Sequence, residues 1–160
     1  MMHPNKEIIQ QFYTSFNRRD YVGMADCYAE NIEFSDAVFS LKGQQVHAMW
    51  HMLCEKGADL KIILGDVDAD EKHGKAHWEA DYIFSASGRR VHNAIDASFL
   101  FQDGRIIKHH DAFDFWRWSQ MAFGSVGWAL GWTPLIQKKV QRQAKKRLDQ
   151  FMADHPEYLS

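Results

Sequence analysis

With 160 residues, 46% of them hydrophobic, the chain is the size of one domain and has enough apolar material for a proper core. Its formal net charge of -2 excludes a global electrostatic bias toward nucleic acid or an anionic membrane. The opening MMHPNKEII lacks the apolar core of a signal peptide, and the longest apolar-leaning stretch, 121–135, is cut by Gly124, Gly127, Gly131 and Pro134 and cannot span a bilayer.

In chain order, Ile8, Ile9, Phe12, Tyr13 and Phe16 recur at helical spacing and predict a helix over 4–19, with Pro4 in its first turn. Asp20 is expected to cap a short second helix running to Tyr28. Residues 32–34 alternate as a first strand. Gly43 opens a third helix, with Val46, Met49, Trp50 and Leu53 as its buried stripe, which ends near Gly57. The hydrophobic period then falls to two, predicting strands at 60–69, 75–85, 91–101 and 105–115. Turn chemistry joins them: residues 70–74, Ser87-Gly88 and Asp103-Gly104, the last the strongest hairpin signal in the chain. Helices first and a four-strand antiparallel meander afterwards is an α+β order. The tail gathers Trp116, Trp118, Trp128 and Trp132. It ends in a long helix begun by Thr133-Pro134, with Val140, Ala144, Leu148 and Phe151 as its apolar stripe. Cys27 and Cys54, isolated in sequence, read as buried thiols of a reducing cytoplasm, which sets the expected localisation.

A two-residue turn at Asp103-Gly104 would fix the register of the last hairpin, with paired positions summing to 207. Asp96 then faces Asp111, Ser98 faces His109 and Ala94 faces Phe113, and these share one side with His92, Ile107 and Phe115. One reading is a pocket floor, where two opposed carboxylates cannot both ionise cheaply and one keeps its proton, with His109 and His92 in reach. The other is a hydrogen-bonded polar face washed by solvent.

Further candidates carry two readings each. Asp36, at a strand exit, is a general base at a pocket mouth or the cap of a turn. His47, His51 and Cys54 share a helical face at metal-binding spacing, but no partner segment completes a site, so no metal is expected. Trp78, Ala80 and Tyr82 alternate as core or pocket wall, with the Tyr82 hydroxyl available to a ligand. The Trp-rich tail caps the pocket or a partner subunit, or packs as an extra helix pair. The basic helix 137–147 is read as a solvated face, with no nucleic-acid or membrane partner expected.

The order helix, short helix, strand, helix and meander resembles the nuclear transport factor 2-like superfamily, which includes ketosteroid isomerases, limonene epoxide hydrolase and SnoaL-like polyketide cyclases. The resemblance covers residues 5 to about 118. Gln10-Gln11-Phe12 through Asn17-Arg18-Arg19-Asp20 resembles the isomerase first helix and its exit. Residues 33–38 resemble the segment carrying the proton-shuttling aspartate, which would be Asp36. Ala94-Ile95-Asp96 resembles the strand carrying the protonated oxyanion-hole aspartate, Asp96. Residues 108–114 resemble the His-x-Asp segment of the cyclases, whose acid/base would be Asp111, oriented by His109. Phe12 stands where the isomerase tyrosine would fall, and Tyr13 is one residue on. For the Asp, Arg and Asp pattern of the epoxide hydrolase, the grouped face offers no Arg except Arg105 at the turn.

The resemblance implies a cone-shaped curved antiparallel sheet wrapped around N-terminal helices over 1–118, with a helical extension at 119–160. It implies cofactor-free acid/base chemistry on a small apolar molecule, with Phe12, Trp50, Trp78, Tyr82, His92 and Phe113 lining the cavity. The alternatives it leaves are a non-catalytic ligand binder and a dimeric assembly module; a homodimer is expected throughout.

Overall fold

A computed structural model describes residues 2–159. The chain forms α1 (Pro4–Asn17), α2 (Tyr21–Asp26), β1 (Tyr28–Ser35), β2 (Ser40–Lys42), α3 (Gln44–Lys56), β3 (Lys61–Ala69), β4 (His73–Phe84), β5 (Arg89–Gln102) and β6 (Arg105–Ala112). The tail adds α4 (Phe115–Phe123), α5 (Ser125–Leu130) and α6 (Pro134–Asp154). Six strands make one curved sheet in the order β2-β1-β6-β5-β4-β3, with β1 parallel to β6 and the other pairs antiparallel. This is the α+β cone that the resemblance implies, with the expected antiparallel sheet corrected to a mixed one by the parallel β1–β6 pair.

The local chemistry follows the predicted caps. Asp20 Oδ1 accepts the Gly23 N–H at 2.9 Å and starts α2. Gly43 enters α3 at φ 57°, a conformation that favours glycine. Tyr28 belongs to β1 rather than to α2, and the short edge strand β2 has no predicted counterpart. β1 buries Tyr28, Ile32 and Phe34 while Glu30 and Asn31 stay exposed, so its apolar pattern is interrupted.

α1 and α3 lie in the cone. Ile9, Phe12, Tyr13 and Phe16 of α1 and Val46, Met49 and Trp50 of α3 are buried against Trp78, Ile95, Ala97, Phe99 and Ile106 of the sheet. Burying one such large side chain contributes roughly 1.5–3 kcal/mol, so this cluster is the main stabilising mass of the fold. Cys27 and Cys54 are free and buried there, and burial pushes their thiols up to about 12 and about 11. α6 packs on α3 through Leu148, Phe151 and Met152. α4 and the start of α6 close a second cluster, Val91, Trp118, Ala122 and Val140, over the end of the sheet.

The turn between β5 and β6 is the expected one: Asp103 and Gly104 take φ 53° and 74°, a mirror-image turn suited to hairpin twist. Phe101 pairs with Ile106 as the two-residue turn requires. The register then slips by one, because Ile107 is an extra residue on β6, and Phe99 pairs with His109, Ala97 with Asp111 and Asp96 with Ala112. The expected opposition of Asp96 with Asp111 and of Ser98 with His109 is therefore corrected. The bulge turns His109 and Asp111 into the cone and leaves Asp96, Ser98 and His92 on the outer face.

Candidate functional site

The inner end of β6 carries a buried polar chain inside an aromatic cluster. His109 and Asp111, two residues apart on one strand face, point inward together, and His109 Nε2 lies 2.9 Å from Asp111 Oδ1. His109 Nδ1 lies 2.8 Å from the Tyr28 hydroxyl, which accepts the Trp50 indole N–H at 3.0 Å. The Trp78 indole donates to Asp111 Oδ1 at 3.4 Å. An indole N–H can only donate, so Tyr28 accepts from Trp50. The assignment that uses every proton has Tyr28 donating to Nδ1 and the Nε2 proton of a neutral His109 on Asp111. Phe12, Phe34, Phe99 and Trp50 surround the imidazole at ring separations of 4.4–6.1 Å. His109 is 1% exposed and Asp111 4%, so their hydrogen bond sits in a low-dielectric setting away from water.

Two tyrosines complete this interior. Burial raises the Tyr28 and Tyr13 hydroxyls well above the ordinary tyrosine range, and the nearby Asp111 charge raises both further. They are proton-bearing groups at any physiological pH. Tyr13 Oη is buried and has no hydrogen-bond partner among the described residues, an expensive state that a bound polar group or water would relieve.

A rim of half-buried residues leads outward. Asp36 Oδ1 accepts the backbone N–H groups of Val38 and Phe39 at 2.8 and 2.7 Å, so it does cap the turn after β1. Burial nonetheless pushes its carboxyl up to about 6 against those two hydrogen bonds, and the Asp111 charge adds to the rise. The turn-cap reading of Asp36 therefore holds, and burial raises the carboxyl of that cap beside the cluster. Tyr82 accepts the Trp118 indole N–H at 2.8 Å, and Phe113 packs in both hydrophobic clusters. From α6, the Gln137 and Gln141 amides both donate to the Ala37 carbonyl at 3.0 Å and tie the tail across this rim.

The structure thus brings together Asp111, His109, Phe12, Trp50 and Trp78, with Asp36, Tyr82 and Phe113 at the edge. It does not bring Asp96 or His92 there. Asp96 is bonded to His77 Nδ1 at 2.9 Å, and His92 Nε2 meets Glu79 at 2.6 Å, in an exposed ladder on the outer face. The side chains of the pocket wall pack against one another, and the surface depressions along α6 and beside the Asp103 turn lie away from them. Sequence reasoning missed Tyr28, hidden in a predicted helix end, and treated Trp50 and Trp78 as wall alone, although their N–H groups feed the polar chain. The helical trio His47, His51 and Cys54 does not converge. His51 stacks on Tyr21 and bonds Tyr158 and Glu55, and Cys54 contacts Met24. His51, Glu55 and His155 do hold ligand-type atoms within 4.8 Å of one another, but the second ring nitrogen of His51 is bonded to Tyr158, and His155 Nδ1 to the Phe151 carbonyl.

The sequence profile of the SnoaL-like domain matches residues 9–109, from within α1 to His109. The chain belongs to the SnoaL-like domain family. Solved structures agree in fold. Bal32a, from a soil-derived mobile gene cassette, is 18% identical with a TM-score of 0.64 over 74% of this chain and 95% of its own. A candidate polyketide cyclase from Xanthomonas campestris pv. campestris is 17% identical with a TM-score of 0.62, covering 74% and 96%. An LEH-like epoxide hydrolase of M. tuberculosis is 15% identical with a TM-score of 0.64, covering 79% and 95%. These identities speak to the SnoaL-like fold alone. No curated protein matches the chain by sequence. Among the described residues, no helix is long and apolar enough to cross a membrane.

Proposed function

We propose that this SnoaL-like protein performs acid/base chemistry on a small apolar molecule, with Asp111 as the proton-transferring group and His109 orienting it. The reaction class is proton transfer: isomerisation, cyclisation, dehydration or hydrolysis. The observation that carries the reading is the buried His109–Asp111 pair with the unpartnered Tyr13 hydroxyl beside it. Tyr28 fixes the imidazole tautomer, so the Nε2 proton is held on the carboxylate before any substrate arrives. Tyr13 can donate to a developing oxyanion, the role that a hydroxyl at Phe12 would otherwise fill. Asp36 is the second titrating carboxyl, placed at the rim. Phe12, Trp50, Trp78, Tyr82 and Phe113 supply the apolar wall. Substrate would enter at the rim, between Asp36, Tyr82 and Phe113, by parting the Gln137, Gln141 and Trp118 contacts.

The close packing of that wall favours a second reading, an assembly module of the same fold whose interior is simply core. Two probes separate them. Solvent deuterium entering 2-cyclohexenone, followed by NMR, reports enolisation, and hydrolysis of limonene oxide reports water activation. Under the acid/base reading, Asp111→Asn lowers either rate about 100-fold or more while probe binding persists. Wild-type protein that neither binds nor turns over either probe supports the module.

A further inference from the structure

The charge of the chain is divided sharply along its length. Residues 115–148 contain seven basic residues and no acidic one, whereas the remaining residues hold twelve basic and all 21 acidic ones. A near-neutral total therefore hides a strongly cationic tail on an anionic body. The same tail carries most of the exposed large apolar side chains: Trp128 at 64%, Trp132 at 68%, Leu135 at 75%, with Val126, Leu130 and Trp116 beside them. Such a concentration is unusual for a water-facing surface.

The local structure holds this patch outward. Gly127 lies so close to α4 that a Cβ there would meet the Ser119 carbonyl oxygen at 1.8 Å. α5 is thus seated on α4 through its glycine, and its bulky neighbours have no place inside. The Trp132 indole N–H donates to the Ala129 carbonyl at 2.9 Å and that of Trp116 to the Trp128 carbonyl at 3.0 Å. Their polar edges are satisfied within the tail while the rings stay at the surface. On α6, Leu135, Lys139, Arg142 and Lys146 recur at i, i+4, i+7 and i+11, all exposed, on the face opposite the buried Val140, Leu148 and Phe151. Exposed apolar anchors at 126–135 therefore lead directly in sequence into the exposed cationic face of α6.

We propose that this surface docks on an anionic lipid bilayer, with Trp128, Trp132, Leu130 and Leu135 entering the headgroup boundary and Lys139, Arg142 and Lys146 contacting anionic headgroups. A second copy of the chain is disfavoured, since a two-fold contact would oppose two cationic tails. Nucleic acid would use the cations but give Val126, Leu130 and Leu135 nothing to contact. A bilayer uses both. The inference rests on the outer side of the tail and stands independently of the chemistry proposed for His109 and Asp111.

Flotation with vesicles tests it, using the full chain with phosphatidylcholine alone or with about one third phosphatidylserine. Wild type should float with the anionic vesicles at low salt, lose binding in high salt, and show a blue-shifted tryptophan emission. The triple variant Lys139→Gln, Arg142→Gln, Lys146→Gln should partition about 100-fold more weakly, at about five-fold per basic residue. The exposed double variant Trp128→Ser, Trp132→Ser should lose binding while its thermal unfolding matches wild type. Equal flotation with neutral and anionic vesicles overturns the proposal, as does no flotation with either. A concentration-dependent dimer that the double Trp variant abolishes, without vesicle binding, assigns the surface to a second copy instead.

Discussion

On the inner face of the sheet His109 meets Asp111 at 2.9 Å; on the outer face His77 meets Asp96 at the same 2.9 Å. The side chains of the first pair are 0% and 4% exposed, those of the second 39% and 81%. The residue types and the distance are shared, and the surroundings differ. The inner pair has aromatic rings on all sides and fixed donors at both ends, from Tyr28 and Trp78. The outer pair is one rung of a ladder in which Glu79, Asp81, His92 and Arg90 share partners in water. A His–carboxylate contact is thus informative only with its burial: inside, losing one partner strands the other, while outside water replaces it.

Breaking the inner pair should have the largest effect. Asp111→Ala leaves the His109 Nε2 and Trp78 donors without acceptors and opens a small void in a packed wall. The expected cost is about 2–5 kcal/mol, at roughly 1–3 kcal/mol for each buried donor left unsatisfied. Urea unfolding at neutral pH should show it as a fall in midpoint at nearly unchanged slope. A loss below about 1 kcal/mol would mean that water reaches the pair, and the contrast between the two faces would collapse.

The fold was legible because its signals are local and redundant. The helical stripes of α1 and α3, the Asp20 cap and the Asp103-Gly104 turn each point to the same α+β order. The site was legible in part. His109 and Asp111 were singled out by the hairpin register and by the His-x-Asp resemblance, but their partners were not, since one inserted residue exchanges the faces of everything beyond it. That bulge left a trace in the sequence. Uninterrupted pairing from the turn would set Lys108 opposite Phe99 on the apolar face, where an unpaired lysine is not tolerated. The adjacent Ile106 and Ile107 break the period of two at the point where the correction occurs. Tyr28 left no comparable trace, because its role depends on β1 running beside β6, a contact between distant parts of the chain.

Asp36 stands between the two regimes, half-buried and hydrogen-bonded to its own turn, and it sharpens the comparison through pH. Its folded-state carboxyl is raised to about 6, so folding favours the protonated form. That contribution is fully present below the ordinary aspartate range near 4 and is lost as pH rises through about 6. Asparagine keeps the Oδ1 acceptor for Val38 and Phe39 but cannot ionise. Asp36→Asn should therefore match wild type near pH 4 and exceed it by about 1–2 kcal/mol at pH 8, after allowance for partial exposure. Parallel stability curves from pH 4 to 8 would show that burial does not govern this carboxyl.

The smallest effect belongs to the outer ladder, and its pH dependence has the form expected of an exposed histidine. The bond to Asp96 raises His77 above the ordinary histidine value, burial opposes that rise, and the bond to Glu79 adds a lesser rise. A raised histidine contributes stability fully present below its unfolded value of about 6.5 and lost as pH rises through the folded one. Asp96→Asn should thus lower the melting temperature slightly at pH 5.5, by about 1 °C, and leave it unchanged at pH 9. High salt should erase even the acidic difference, because the pair lies within reach of mobile ions. Asp111→Ala should keep most of its cost in the same salt, since ions do not reach the interior. A salt-resistant loss for Asp96→Asn would mean that the outer face is covered in solution, and a covered sheet face is the geometry that a dimer of this chain requires.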